Sequence, residues 1–249
     1  MSFIASQKNI NEILSRNIIY CIPLNQRKYV WGENEWSEFF DDVFLIDQAS
    51  NYNHFIGSVV FAKKNVNNQY SIIDGQQRLT TICILFVAII NQLYLVNEQA
   101  ISESYKSTYL KGNNNGDEYY KIERDDGEFY LANLIDYLNE YKKNDDIKRN
   151  YEDSFKKSDK YNEKLYTCFI FFNNKLSNIL SAKNKKKEYL VDLKEKLINC
   201  ELIEIIVENN VDGFRVFETL NARGIPLEQH ELIKNFLYSY LRSKTKGKN

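Results

Sequence analysis

The sequence predicts an α+β fold: a small mixed sheet with a long central helix, followed by a mainly helical region packed on it. Three observations carry that prediction. Residues 70–94, YSIIDGQQRLTTICILFVAIINQLY, pass from a short apolar run through Asp74-Gly75 straight into a helical pattern. Other short apolar runs, at 18–22, 54–64 and 201–208, are separated by longer stretches of helical period. Glycine and proline are scarce, 9 and 2 in 249 residues, which suits long helices rather than a turn-rich sandwich.

Taken in order, residues 3–16 read as an amphipathic helix on Ile4, Ile10, Ile13 and Leu14, and 18–22 as a strand that Pro23 ends or holds at an edge. The loop IPLNQRKYVWGENEW leads into a helix over 33–48, with Trp36, Phe39, Phe40, Val43, Phe44 and Ile46 on its stripe. Strand 54–64, with Gly57 permitting a close approach, pairs with strand 70–73 as a hairpin across an Asn-rich loop. In the central helix Leu79, Ile82, Cys83, Phe86, Ile90 and Leu93 share a face. Residues 82–90 are apolar throughout, so this helix is buried on most sides, and the run is too short to span a bilayer. Short strands at 108–111 and 119–123 flank a turn over 112–116. A helix over 126–141, a polar connector over 142–149 and a long helix over 158–180 follow, the last burying Leu165, Phe169, Phe172, Leu176 and Leu180. A helix over 185–197 and a strand over 201–208 come next. Phe214, Phe217 and Leu220 suit a helix ended by Gly224, and a last helix runs over 228–241. The division is 1–100 and 101–249, or one continuous domain.

Net charge is −1, so any nucleic-acid contact must come from a local patch. Cys21, Cys83, Cys168 and Cys200 form no C-x-x-C pair and read as buried, reduced thiols of a cytoplasmic protein. The start, MSFIASQKNINEILSRN, lacks a basic segment followed by an apolar one, so no signal peptide is expected. His54 and His230 lie far apart without further ligands, which leaves zinc unsupported.

The junction at 74–78 carries the chemistry. Asp74 fits a helix N-cap, and Gln77 completes a capping-box-like pair. Gly75 lets the backbone approach a ligand, and the N–H groups of Gln76, Gln77 and Arg78 face outward at the positive end of the helix dipole. A cation in the first turn is disfavoured unless Asp74 or a bound anion is near it, so Arg78 reads either as a solvated side chain on a plain strand–turn–helix or as part of a phosphate site. Gln26 and Arg27 offer donors to phosphate or a base edge. Tyr29 and Trp31 either stack on a base or anchor the loop in the core, and burial is the commoner fate of Trp. Asp42 belongs to a solvated acidic pair with Asp41 or reaches a metal. Lys183, Lys185, Lys186 and Lys187 suit a solvated helix start. Asn221 and Arg223 sit on a Gly-containing loop able to present a guanidinium to phosphate.

Three stretches carry a family resemblance. IIDGQQRLTT, the pattern Ile-Pro-x-x-Gln-Arg-x-Tyr-x-Trp from Ile22 to Trp31, and Phe-Glu-x-x-Asn-x-x-Gly-x-x-Leu from Phe217 to Leu227 resemble the signatures of the N-terminal domain of GmrSD-type modification-dependent restriction enzymes, related to ParB and sulfiredoxin. Asn25 stands where the family has an aromatic before the Gln. The resemblance implies a ParB-like sheet and an NTP-binding, NTP-hydrolysing, DNA-sensing subunit of an anti-phage restriction system. It implies Mg²⁺ with the nucleoside triphosphate, and DNA, modified or unmodified, as a partner. It also implies a His-Asn-His nuclease half, for which this chain has too few histidines and which is expected on another chain or domain. In that picture Asp74, Arg78 and Arg223 are catalytic. Gln26, Arg27, Gly75, Gln76, Gln77, Arg78, Thr81 and Asn221 hold the nucleotide, with Thr80 nearby, and Asp42 and Asp74 are the candidate metal ligands. A non-hydrolysing DNA-binding regulator and a ParB-like nuclease or nickase are the alternatives. All rest on the three signatures closing around one electropositive cavity.

Overall fold

A computed structural model describes residues 3–24, 26–44, 54–66, 68–114, 116–125, 130–143, 155–159 and 161–208. The strands are β1 (Phe3–Asn9), β2 (Ile19–Ile22), β3 (Phe55–Lys63), β4 (Gln69–Asp74), β5 (Lys111–Asn114), β6 (Asp117–Tyr120), β7 (Ile122–Arg124) and β8 (Glu201–Val207). The helices are α1 (Ile10–Leu14), α2 (Glu33–Phe44), α3 (Gln76–Leu95), α4 (Gln99–Tyr105), α5 (Tyr130–Lys143), α6 (Glu163–Ser181) and α7 (Lys186–Asn199). One turn of π-helix, Lys106–Leu110, links α4 to β5. The expected α+β class is borne out.

Six strands form one sheet in the order β1-β8-β3-β4-β2-β7, while β5 and β6 make a separate hairpin. β3 and β4 are antiparallel, as the hairpin reading expects. β2 runs parallel to both β4 and β7. β8 inserts between β1 and β3, antiparallel to the first and parallel to the second. Strands from before and after residue 100 therefore share a single sheet.

The helix expected over 3–16 is a correction. Its first half is β1, paired residue for residue with β8 from Phe3↔Val207 to Asn9↔Glu201. Asn9 then caps α1: its side chain accepts from the Glu12 N–H, and Glu12 reaches back to the Asn9 N–H at 3.0 Å. That capping box is the local mark of where the helix begins. The strand expected over 108–111 is another correction, because all but Lys111 belong to the π turn. The segments expected over 45–48, 126–129 and 144–149, and everything beyond 208, lie outside the described residues.

α3 is the spine. Seventeen of its twenty residues are buried, so it must be wrapped on all sides. The sheet lies on one flank and α4, α6 and α7 pack on the others. By length and composition α3 is apolar enough to cross a bilayer, but 83% of its most apolar window is buried inside this protein. Across the sheet, Phe3, Val60, Ala62, Ile73, Ile205 and Val207 make a second, smaller buried cluster. All four cysteines are free and buried. Burial raises the Cys83 and Cys168 thiols to about 12, which leaves them inert.

Candidate functional site

β2, β4 and β7 point the same way, so Ile22, Asp74 and Arg124 end at one rim of the sheet. The carboxyl ends of parallel strands are where α/β folds place ligands. The loop of residues 23–32 leaves β2 at this rim, and α3 leaves β4 beside it. β3 runs the other way, so Gly57 and Ser58, in its N-terminal half, arrive at the same edge.

Side-chain amides join loop to helix. Gln26 Nε2 donates to the Ile73 carbonyl at 2.7 Å. Gln76 Nε2 donates to the Arg27 carbonyl at 2.9 Å, and Gln77 Nε2 to the Lys28 carbonyl at 3.1 Å. Gln77 Oε1 accepts from the Val30 N–H at 2.9 Å. The first two signatures are thus clamped together by three glutamines, whose amide nitrogens bind backbone. Gln76 and Gln77, expected at the nucleotide, hold the loop with their side chains in the described structure.

The clamp frames a cavity of about 480 Å³. Gln26, Arg27 and Trp31 come from the loop; Ile73, Asp74, Gly75, Gln76, Gln77 and Arg78 come from the β4–α3 junction. Gly75, not Asp74, is the N-cap of α3, with φ 89° and no side-chain cap bond. The expected capping box is absent because Gln77 faces the loop. The left-handed backbone at Gly75 is open to glycine at little strain. A Cβ there would also lie 2.7 Å from Val59 Cγ1. Asp74 instead accepts from the Gly75 N–H.

Arg78 is the unusual group. Its Nη1 donates to the Ser58 carbonyl at 2.8 Å. The guanidinium rests against Gly57, where a Cβ would stand 2.7 Å from Nη2 and 2.9 Å from Cζ. No carboxylate among the described residues reaches it within ion-pair distance. Desolvation by burial lowers its pKa, and Asp74 only partly opposes that. Burial likewise raises the Asp74 pKa, against the Gly75 N–H, Arg78 and Arg27. Arg27 itself is exposed at the mouth.

Two residues expected at the ligand lie elsewhere. Thr81 is fully buried; its hydroxyl donates to the Gln77 carbonyl at 2.9 Å and meets Tyr29 Oη at 2.6 Å. Tyr29 also accepts from Trp36 Nε1 at 2.8 Å, so it anchors the loop in the core. Thr80 lines a separate cavity of only about 50 Å³ behind the loop. Trp31 is half-buried, and its ring forms a wall of the main cavity. Asp42 is not in this cavity; it pairs with His54 at 3.4 Å in a neighbouring one. Asp41 binds Lys175 at 2.8 Å. Among the described residues no group of three or more His, Cys, Asp or Glu side chains could hold a metal ion. Asn221 and Arg223 lie outside the described residues. Sequence reading marked Gly57 as a point of close approach but missed that its partner is Arg78.

A pH dependence follows from Asp74. Its folded pKa lies above the ordinary value of 3.8. The native state therefore holds that proton more tightly than the unfolded chain does. Stability from this group falls as pH rises from the unfolded to the folded value, and the ionised carboxylate remains a burden above it. Asp74→Asn is expected to match or exceed the parent's melting temperature at neutral pH. It should also flatten the stability profile in the mildly acidic range, as thermal melts across pH will show.

Fold and site together define an α+β domain with a cavity lined by two arginines at the carboxyl ends of parallel strands. The model of the GmrSD restriction endonuclease N-terminal domain matches residues 10–238, and the chain belongs to that family. Comparison with curated protein sequences gave no match. Membership makes this a restriction-system domain, with DNA and a nuclease domain as the interactions its family implies.

Proposed function

We propose that this domain binds and hydrolyses a nucleoside triphosphate while sensing DNA, modified DNA in particular, for a cytoplasmic anti-phage restriction system whose cutting is done by a His-Asn-His nuclease partner. The observation that carries the reading is Arg78: a half-buried, desolvated guanidinium without a carboxylate partner among the described residues, beside Arg27 and the N-terminus of α3. A buried cation is unfavourable unless paired, and an incoming phosphate supplies the pair. The N–H groups opening α3 and the left-handed turn at Gly75 suit the same anion.

Arg78, Arg27 and Arg223 neutralise the phosphoryl oxygens as charge moves to the leaving group. Asp74 orients the attacking water, its raised pKa making it the better proton acceptor. Gln26, Gln76 and Gln77 set the loop that carries Arg27, and Asn221 of the third signature is assigned to the same nucleotide by the family resemblance. Asp74 is the single carboxylate lining the cavity among the described residues, and fits as one oxygen ligand to Mg²⁺ arriving with the nucleotide. Mg²⁺ there supplies charge neutralisation at the phosphates.

Nucleotide with Mg²⁺ at a hundred times its Kd is expected to stabilise the fold by about 2.7 kcal/mol. Thermal melts with GTP, CTP, UTP and ATP, alongside phosphate release, test this. No shift and no release with any of the four would reject it. The exposed side chains of Leu24, Arg27, Lys28 and Val30 on the loop favour a second reading, a non-hydrolysing DNA-binding regulator. Stabilisation by modified DNA without any by nucleotide would select it. A nuclease centre is the weaker reading, since Asp42 and Asp74 line different cavities.

A further inference from the structure

A second cavity, of about 390 Å³, lies against the first. The two share Trp31 and Arg78. Apart from the shared Arg78, their charged linings are of opposite sign. The first carries Arg27, Arg78 and one carboxylate. The second is walled by Glu35, Glu38 and Asp42, spaced three and four apart on one face of α2, with His54 and Gly57 opposite and Phe39 also in the lining. Glu35 is already engaged, accepting from the Gly32 N–H at 2.8 Å. Glu38 has no hydrogen-bond or ion-pair partner among the described residues.

Carboxylates accept hydrogen bonds and repel anions. The first cavity demands an anion, and the second rejects one and asks for donors. A ligand filling both must carry an anionic end and an uncharged end rich in donors. We infer that the second cavity is the nucleoside half-site of the same ligand, with Glu38 and Asp42 accepting from ribose hydroxyls or an exocyclic amine. Trp31, standing between the cavities, offers the base a stacking face. His54 Nε2 lies 3.4 Å from Asp42 Oδ2. Acidic residues accept ribose hydroxyls in the same manner in dinucleotide folds. The charge division also fixes polarity: the phosphates lie toward Arg27 and the sugar toward α2.

This inference rests on the nucleotide reading, and its test separates the two. Titration calorimetry on the full chain compares the tightest-binding of GTP, CTP, UTP and ATP with inorganic tripolyphosphate, all with Mg²⁺. The parent should bind the nucleotide more tightly than tripolyphosphate. The Glu38→Gln/Asp42→Asn double variant should lose roughly tenfold to a hundredfold in nucleotide affinity, the range for hydrogen bonds to charged groups. Its affinity for tripolyphosphate should stay unchanged. Equal losses for both ligands would make the acidic wall a metal or folding element and overturn the inference. So would unchanged nucleotide binding, or a parent that does not distinguish the two ligands, while the anion cavity itself would stand. Failure of the parent to bind either ligand would remove the nucleotide reading and the inference with it.

Discussion

Arg78→Ala is expected to reduce nucleotide turnover by about a thousandfold or more, the scale on which arginines that stabilise a phosphoryl transition state act. The thermal shift produced by nucleotide should shrink with it. The fold should survive. The change removes a half-buried cation that lacks a carboxylate partner among the described residues, which relieves desolvation, and it leaves the Ser58 carbonyl without its donor. The second effect is worth about 1–3 kcal/mol and opposes the first, so the melting temperature should move by only a few degrees. Arg78→Lys should not restore the rate, because a point charge cannot reproduce the planar fork. Phosphate release by the purified variant decides the matter: turnover at the parent rate would remove Arg78 from the chemistry.

Gly57→Ala should reach nearly the same loss of turnover from the opposite side. Gly57 has φ +105°, where a side chain is strained, and its Cβ would overlap the guanidinium. The guanidinium is the far end of a flexible side chain, so it is what gives way. It leaves the Ser58 carbonyl and swings out of the shared wall of the two cavities. Backbone strain should lower stability by about 1–3 kcal/mol. Residues acting through one group are non-additive, so the Gly57→Ala/Arg78→Ala double variant should turn over no more slowly than Arg78→Ala alone. Multiplicative losses would show that Gly57 serves some other purpose.

Much of this was legible in the chain. The passage from β4 through Gly75 into α3 follows from an apolar run, a turn dipeptide and a helical period in direct succession, and the structure keeps that order. The convergence of residues 26–31 with residues 73–78 on one cavity was likewise expected and is seen. What stayed hidden was set by distant partners. Ile4, Ile10, Ile13 and Leu14 carry helical spacing across a boundary at Asn9, and only pairing with β8 makes residues 3–9 a strand. A glutamine amide is an equally good donor to a phosphate and to a carbonyl, so the clamp made by Gln76 and Gln77 could not be told from a ligand grip. Thr81 sits one helical turn beyond Gln77, where back-bonding and Tyr29 take its hydroxyl inward. The acidic wall of α2 gained meaning only when β3 brought His54 and Gly57 across from it.

The position of β8 also bears on how the protein is made. Gly57 and Ser58 seat Arg78, and the outer neighbour of that part of β3 is β8, with Ser58 opposite Ile203. A ribosome-bound nascent chain halted before Glu201 lacks that neighbour, and its β3 is a bare edge open to adventitious pairing. The seat of the arginine therefore sets late in synthesis, and a chain halted there carries the first two signatures without the sheet neighbour that flanks their cavity. In this restriction-system domain the strand that completes the sheet beside the cavity is thus supplied late in chain order.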